Sequence, residues 1–443
     1  MLQIPGIFIV IALAIESLFV ALYAFGDLSR RITETILLLL LTTTVYLLSV
    51  FFVLRLARSS RRFILFVFLA ALVFRATVWP LFPAFSDDVY RYRWEGKLQD
   101  AGGNPYQVRP NDPEWSELRD PAFDNVGSKD FKGGYGPLIE LTELFTYRVL
   151  KTRVPDPFAQ VFWFKLPSVL FDLASMVVLA ALLRARGLPM ERVLIYAWSP
   201  LPVFEYWVNG HNDSMPVFFV LLALLAASWG RWTWSFVWLS LATAAKLWPV
   251  VLFPLFIFWR GARPIRWYQW LVVIPLFGLI SLPYWSVVTE NLHFLTGFIG
   301  GWRNNDSLFG LLLFLVDDLY RAKHIAFGIL AASVVWATTR KWPLEKCSLF
   351  IIVAMLLVAS NCHPWYLLWF LPLLAFVPFP PLLLWTALMP LCYAVVIRWL
   401  ALGEWEGSTA IRWYVYVPFY VFLITRSFVL LLQSRRANVM VKP

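Results

Sequence analysis

Charge is scarce in this sequence: 15% of its 443 residues are Asp, Glu, Lys or Arg, against 60% hydrophobic. A soluble domain carries charge on roughly a quarter of its residues, so a soluble globular protein is excluded. Cysteine is scarcer still, with Cys347, Cys362 and Cys392 the whole complement. Three thiols make no disulfide framework, and their spacing fits no metal-ligand pattern. No low-complexity segment, polar linker or convincing internal repeat interrupts the chain. Its first residues lack a basic stretch and a small-residue cleavage site after Phe25, so about 3–25 is expected to be a retained span rather than a leader. The formal charge of +11 is spread in short basic runs between apolar stretches. That spacing excludes a nucleic-acid face and suits topology against anionic lipid headgroups.

What is abundant is apolar and aromatic. The 24 Trp and 17 Tyr suit membrane interfaces, and apolar runs are legible at about 3–25, 33–54, 63–83, 161–183, 193–208, 213–229, 267–285, 322–339, 347–360, 365–379, 381–397 and 411–432. Most approach the length that crosses ~30 Å of hydrocarbon as a helix. An all-α polytopic membrane protein of about 12–14 transmembrane helices is expected, interrupted by one long polar insertion at about 84–160.

Loop charges set the orientation. Arg55, Arg58, Arg61 and Arg62, then Arg184, Arg186 and Arg192, then Arg340, Lys341 and Lys346, and finally Arg435 and Arg436 are all cytoplasmic in one consistent arrangement. Loop 84–160 is then external, with Arg30 and Arg31 as a mild violation. The rule also predicts that 232–259 is two short helices broken at Lys246-Leu-Trp-Pro249, which returns Arg260, Arg263 and Arg266 to the cytoplasm. The stretch 308–320 is expected to lie along the outer surface, giving about 14 crossings.

Ionisable residues within spans are expensive and so are functional candidates. Here they gather towards the external side: Arg75, Lys165, Asp172, Glu205, His211, Asp213, Lys246, Arg303, Asp306 and His363, with His293 on the same side. The densest element opens the loop, in Phe85-Ser-Asp87-Asp88-Val-Tyr90-Arg91-Tyr-Arg93-Trp-Glu95-Gly96. A carboxylate partly desolvated at a membrane boundary can take a proton from an attacking hydroxyl. Nearby cations suit a phosphate leaving group. The alternative is that the aspartates cap a helix starting near Val89, which accounts for one of them but not for the pair with its cations.

The run Asp87-Asp88-Val-Tyr90-Arg91-Tyr through Asn104-Pro105-Tyr106 resembles the GT-C superfamily of membrane glycosyltransferases. It is similar in particular to bacterial polyprenol-phosphate-dependent mannosyltransferases of glycosyltransferase family 87. Further matches are Tyr135-Gly-Pro137, Asn209-Gly-His211-Asn-Asp213, Lys246-Leu-Trp-Pro249, Arg303 through Ser307 and His363-Pro-Trp-Tyr366, in order from about 63 to 379. The resemblance implies a GT-C-like bundle in a bacterial inner membrane, with a large extracytoplasmic first catalytic loop. It implies inverting transfer of a hexose, with mannose favoured, from a polyprenyl-phosphate donor to a hydroxyl of a lipid, glycan or protein. Asp87 would be the general base, with Asp88 the runner-up or an orienting partner. Lys246, Arg303, His363 and Arg75 would hold the donor phosphate. His211, Asp213, Glu205, Tyr90, Arg91 and Tyr135 would lie about the donor sugar and acceptor. No cofactor and no metal is assigned; a divalent cation on the acidic pair is the lesser reading. Two spans precede the usual first loop, so 1–54 is expected to be an added helix pair beside a core at about 63–432. The rivals are a transporter or flippase, whose site would lie at the midplane between repeats, and a polymerase or ligase moving glycans from a diphosphate donor.

Overall fold

A computed structural model describes residues 5–56, 60–259, 265–287, 303–403, 405 and 408–440. Arg58, Arg260, Arg263 and His293 lie outside the described residues, as do the side chains of Arg435 and Arg436. The described chain is all helical and forms no strand, only one two-residue bridge, Asn304 with Asn361. Among the described residues, six helices are long and apolar enough to cross a membrane: Gly6–Ala24 (α1), Ile32–Arg55 (α2), Pro157–Ala185, Trp267–Trp285, Pro380–Leu402 and Thr409–Gln433. The faces of α1 and α2 that meet no other helix present Val10, Leu13 and Leu37 outward, each more than half exposed. Such a surface is stable only against lipid tails. The chain is an all-α polytopic membrane protein.

Proline decides where other apolar runs break. The helix Trp232–Ala245 ends at Lys246, which is extended (φ −141°, ψ 147°), and a short turn then opens on Trp248-Pro249. Proline supplies no amide hydrogen to continue the helical ladder, and the run splits just ahead of Pro249, at the expected point. The segment Leu308–Val316 is likewise a separate short helix, stopped by left-handed Asp317 before Leu319–Thr338.

Helix α3 (Arg61–Val78) packs on α1 and leads into the polar insertion. There, α4 (Asp88–Asp100) lies against α5 (Pro137–Leu150). Their backbones nearly touch at Gly96, where a β-carbon would fall 2.5 Å from the Glu143 carbonyl oxygen. The loop between them is stapled to α4 by Asp120, which accepts from Arg93 at 2.7 Å and Lys97 at 2.6 Å. Burial of Asp120 opposes ionisation, but these two cations win and hold its carboxyl below the usual range. Gly136 anchors the other end, its N–H donating to Ala245 O at 3.0 Å. The insertion is thereby tied to the residue before Lys246.

Arg75 has a structural role and not the phosphate-binding one expected for it. It is wholly buried on α3, paired with Asp172 at 2.7 Å and donating to Ala197 O at 2.6 Å. Tyr196 and Trp207 donate to the same aspartate at 2.7 and 2.8 Å. A buried guanidinium needs this full set of acceptors, and nothing is left over for a ligand. Lys165 is spent similarly on the carbonyls of Trp79, Leu81 and Trp207.

Candidate functional site

One large cleft of about 2150 Å³ opens beneath the insertion. Of the residues singled out from sequence, Asp87, Asp88, Tyr90, Arg91, Tyr135, Lys246, Arg303 and His363 all line it. Glu205, His211 and Asp213 stand directly behind that wall, and Arg75 lies away from it.

The acidic pair sits where the chain turns from α3 into α4. Asp87 takes the N-cap position of α4, yet its side chain makes no capping hydrogen bond. Ser86 does the local work, its hydroxyl accepting from the Asp88 N–H at 3.2 Å. Capping therefore does not explain either carboxylate. Asp87 faces the cleft but is crowded by the loop that follows Phe123: at Gly127 a β-carbon would lie 1.7 Å from Asp87 Oδ2. Burial and the neighbouring Asp88 charge push the Asp87 carboxyl up to about 7. Asp88 is a quarter exposed, accepts from Tyr92 Oη at 3.2 Å and lies 3.7 Å from His211 Nε2.

His211 comes from the turn before the helix Ser214–Ser228. Its Nδ1 is 2.7 Å from Glu205 Oε2, and its Nε2 is 3.0 Å from Ser86 Oγ. Burial pulls its pKa down, but Glu205 and Asp88 outweigh that and raise it. Glu205 is braced in turn by Tyr393 Oη and by Asn209 Nδ2 at 3.1 Å. A protonated imidazole here would be balanced on both sides by carboxylates.

Trp365 lies between two imidazoles. Its ring stacks on His211 at 4.0 Å and on His363 at 4.4 Å, nearly parallel to the latter (8°). A second stack runs Tyr366, Trp369, Trp248, with centroid spacings of 4.3 and 5.0 Å. These rings give the cleft an aromatic floor fitted to apolar or sugar faces. Burial, with His211 and Lys246 nearby, drives the His363 pKa down to about 3, so this imidazole is neutral. With Asn304 Nδ2 assigned as donor to Nδ1 at 3.2 Å, Nε2 carries the proton.

Cations complete the wall. Lys246 stands at the helix break, its Nζ 2.6 Å from Asp213 Oδ2 and 5.6 Å from the Tyr135 ring centre. Asp213 also accepts from Trp369 Nε1 at 2.7 Å, so it fixes a cation and an aromatic together. Arg303 pairs with Asp306 at 2.6 Å but stays 39% exposed, which leaves donors for a ligand. The strip 303–306 is held against the His363 segment by backbone bonds from Asn304 N to Ser360 O and from Cys362 N to Asn304 O. Two motifs some sixty residues apart thus become one surface.

Arg91 lines the cleft, but its guanidinium is engaged: Nε with Glu95 at 2.5 Å, and the terminal nitrogens with the carbonyls of Ser128 and Phe131 at 2.9 Å each. It holds the loop over the aspartates rather than reaching inward. The turn Tyr23–Ser29 between α1 and α2 also borders the cleft, and nothing in its composition had marked it. Trp365, Tyr92 and Gly127 were not singled out either, although Trp365 and Tyr92 sit within the quoted His-Pro-Trp-Tyr and Asp-Asp-Val-Tyr-Arg-Tyr motifs. Below the loop, Glu95, Glu140 and Glu143 bring carboxylate oxygens within 4.8 Å of one another, the described residues best placed to hold a metal ion. Burial pushes all three carboxyls up, and repulsion from the neighbouring glutamates adds to it at Glu140 and Glu143.

No curated protein and no solved structure was found to match the chain. The profile of one family, described as the alpha-(1->6)-mannopyranosyltransferase N-terminal domain, matches residues 8–262, more than half of the sequence. That stretch holds the acidic pair, His211, Asp213 and Lys246, and the chain belongs to this family of GT-C-type mannosyltransferases.

Proposed function

We propose that this mannosyltransferase takes mannose from a polyprenyl-phosphate donor and passes it, with inversion, to a hydroxyl of a lipid, glycan or protein on the outer side of a bacterial inner membrane. The observation that carries the reading is that one cleft brings the adjacent carboxylates Asp87 and Asp88 together with the cations Lys246 and Arg303. Loop charges support the outward orientation. The aromatic floor suits the first isoprene units and the sugar face.

In this mechanism the acceptor hydroxyl gives its proton to Asp87 as its oxygen attacks the anomeric carbon. The bond from that carbon to the phosphate oxygen breaks, and polyprenyl phosphate leaves with the electron pair. A base poised near neutral pH is suited to this transfer, and Asp87 has that property. Asp88, held between Tyr92 and His211, orients the acceptor. Lys246 and Arg303 meet the growing phosphate charge, and the neutral His363 donates from Nε2. Asp213 and Glu205 position Lys246 and His211 without touching substrate.

The test is turnover of polyprenyl-phosphate mannose by the reconstituted protein. Asp87→Asn should lower kcat by about 10²–10⁴-fold with expression intact. Near-normal transfer by both Asp87→Asn and Asp88→Asn would overturn the mechanism. A transporter would move the donor without forming a glycosidic bond, and a diphosphate-dependent ligase would be indifferent to Asp87.

A further inference from the structure

A second polar cluster lies beneath the cleft. Glu95 on α4 and Glu140 and Glu143 on α5 are 1%, 0% and 4% exposed. Their carboxylate oxygens converge within 4.8 Å because α4 and α5 meet backbone to backbone at Gly96. Among the described residues, one cation touches the cluster: Arg91, on Glu95 Oε1. Gln99 Nε2 donates to Glu140 Oε2 at 3.1 Å. The four remaining oxygens, Glu95 Oε2, Glu140 Oε1 and both of Glu143, are buried without a hydrogen-bond partner. Buried polar atoms are nearly always satisfied, so four orphaned acceptors together call for a partner that the neighbouring side chains do not supply.

A different element borders one member of the cluster, Glu143. Asn212 and Ser214, from the turn that carries His211, share a small void of about 20 Å³ with Glu143, Tyr92 and Thr142. Both ends of the Asn212 amide and the Ser214 hydroxyl are buried and unpartnered as well. A void of that size holds one water. An ion on the cluster side of Glu143 and a water on its far side would satisfy groups from both elements.

We propose that Glu95, Glu140 and Glu143 bind a divalent cation. The charges agree: three carboxylates against one guanidinium leave two negative charges, which one such ion neutralises. An all-oxygen donor set selects a hard ion, Mg²⁺, Mn²⁺ or Ca²⁺, over zinc. Four free protein oxygens plus water reach the six or more ligands these ions take. The ion would act through structure. Glu95 lies two turns along the helix that begins at Asp88, and clamping it to α5 sets the pitch at which α4 presents the acidic pair.

The experiment uses the full-length protein in detergent, stripped with EDTA, and does not depend on the transfer reaction. Mn²⁺ titration followed by electron paramagnetic resonance should find one tightly held ion per chain. Saturating Mn²⁺ or Ca²⁺ should raise Tm by roughly 2–8 °C. Glu140→Gln and Glu143→Gln should abolish binding, whereas Asp88→Asn should retain it. Glu143→Asp, which preserves charge while shortening the side chain, should bind about tenfold or more weakly. The proposal is overturned if wild-type protein binds no Mn²⁺ and none of the three ions shifts its Tm. It is equally overturned if Asp88→Asn loses the ion while Glu143→Gln keeps it, which would place the metal on the acidic pair.

Discussion

Gly127 lies against the Asp87 carboxylate, so close that a β-carbon would fall 1.7 Å from Oδ2 and 2.3 Å from Cγ. The loop backbone is thus one wall of the pocket that desolvates Asp87, and Arg91 holds that wall down through Ser128 and Phe131.

Gly127→Ala must therefore move either the carboxylate or the loop. A displacement of about 1 Å at a reacting group costs on the order of 10²-fold in rate. The expected result is a kcat loss of that size with Tm nearly unchanged, measured by mannose transfer and thermal unfolding on one preparation.

Lys246 carries a charge that Asp213 aims and does not bury, since the lysine remains 15% exposed at the cleft. Lys246→Ala should remove a charge-assisted bond to the donor phosphate, lowering kcat/KM about tenfold to a hundredfold, mostly through weaker donor use. Asp213→Asn should act in the same direction and more mildly, because the cation stays but loses its aim. Initial rates against donor concentration would check both.

Much of this was legible in the sequence, and the reasons differ by residue. The break at Lys246 followed from Pro249 and from loop charge, both local properties. Asp87, Asp88, Arg303 and His363 were visible because charge within an apolar chain is rare enough to stand out. Arg75 stood out for the same reason and proved to be structural, because its partner Asp172 is 97 positions away and no local pattern pairs them. The glutamate cluster left partial traces, Glu140 and Glu143 at i,i+3 and Glu95 at i+4 from Arg91. Nothing local tells that α4 and α5 face one another. Gly127 is invisible for a related reason: its need for a missing side chain arises from a carboxylate forty residues earlier.

Arg75→Ala should separate structural charge from catalytic charge. Removing one partner of a buried pair leaves Asp172 uncompensated and costs about 3–5 kcal/mol. The variant should show a clearly lower Tm in detergent, while transfer per folded molecule, well below the unfolding transition, stays within about threefold of wild type. A loss of turnover without a loss of stability would return Arg75 to the site.

The pH profile tests the assignment of the base most directly. Asp87 is raised from the ordinary aspartate value to about 7, so below that pH it is protonated and cannot accept the hydroxyl proton. The rate at low donor concentration should therefore rise with pH through an acid limb near 7. Burial is the larger cause of the shift, and the Asp88 charge adds to it. Asp88→Asn removes that repulsion, so the limb should move to lower pH even as the maximal rate falls. His211→Gln removes a nearby positive charge that holds the Asp87 pKa down, and should move the limb upward. Opposite displacements by the two variants are expected if the titrating group feels both charges, as Asp87 does. A limb that stays in place in both would assign the pH dependence to another group and leave Asp87 without its role as base.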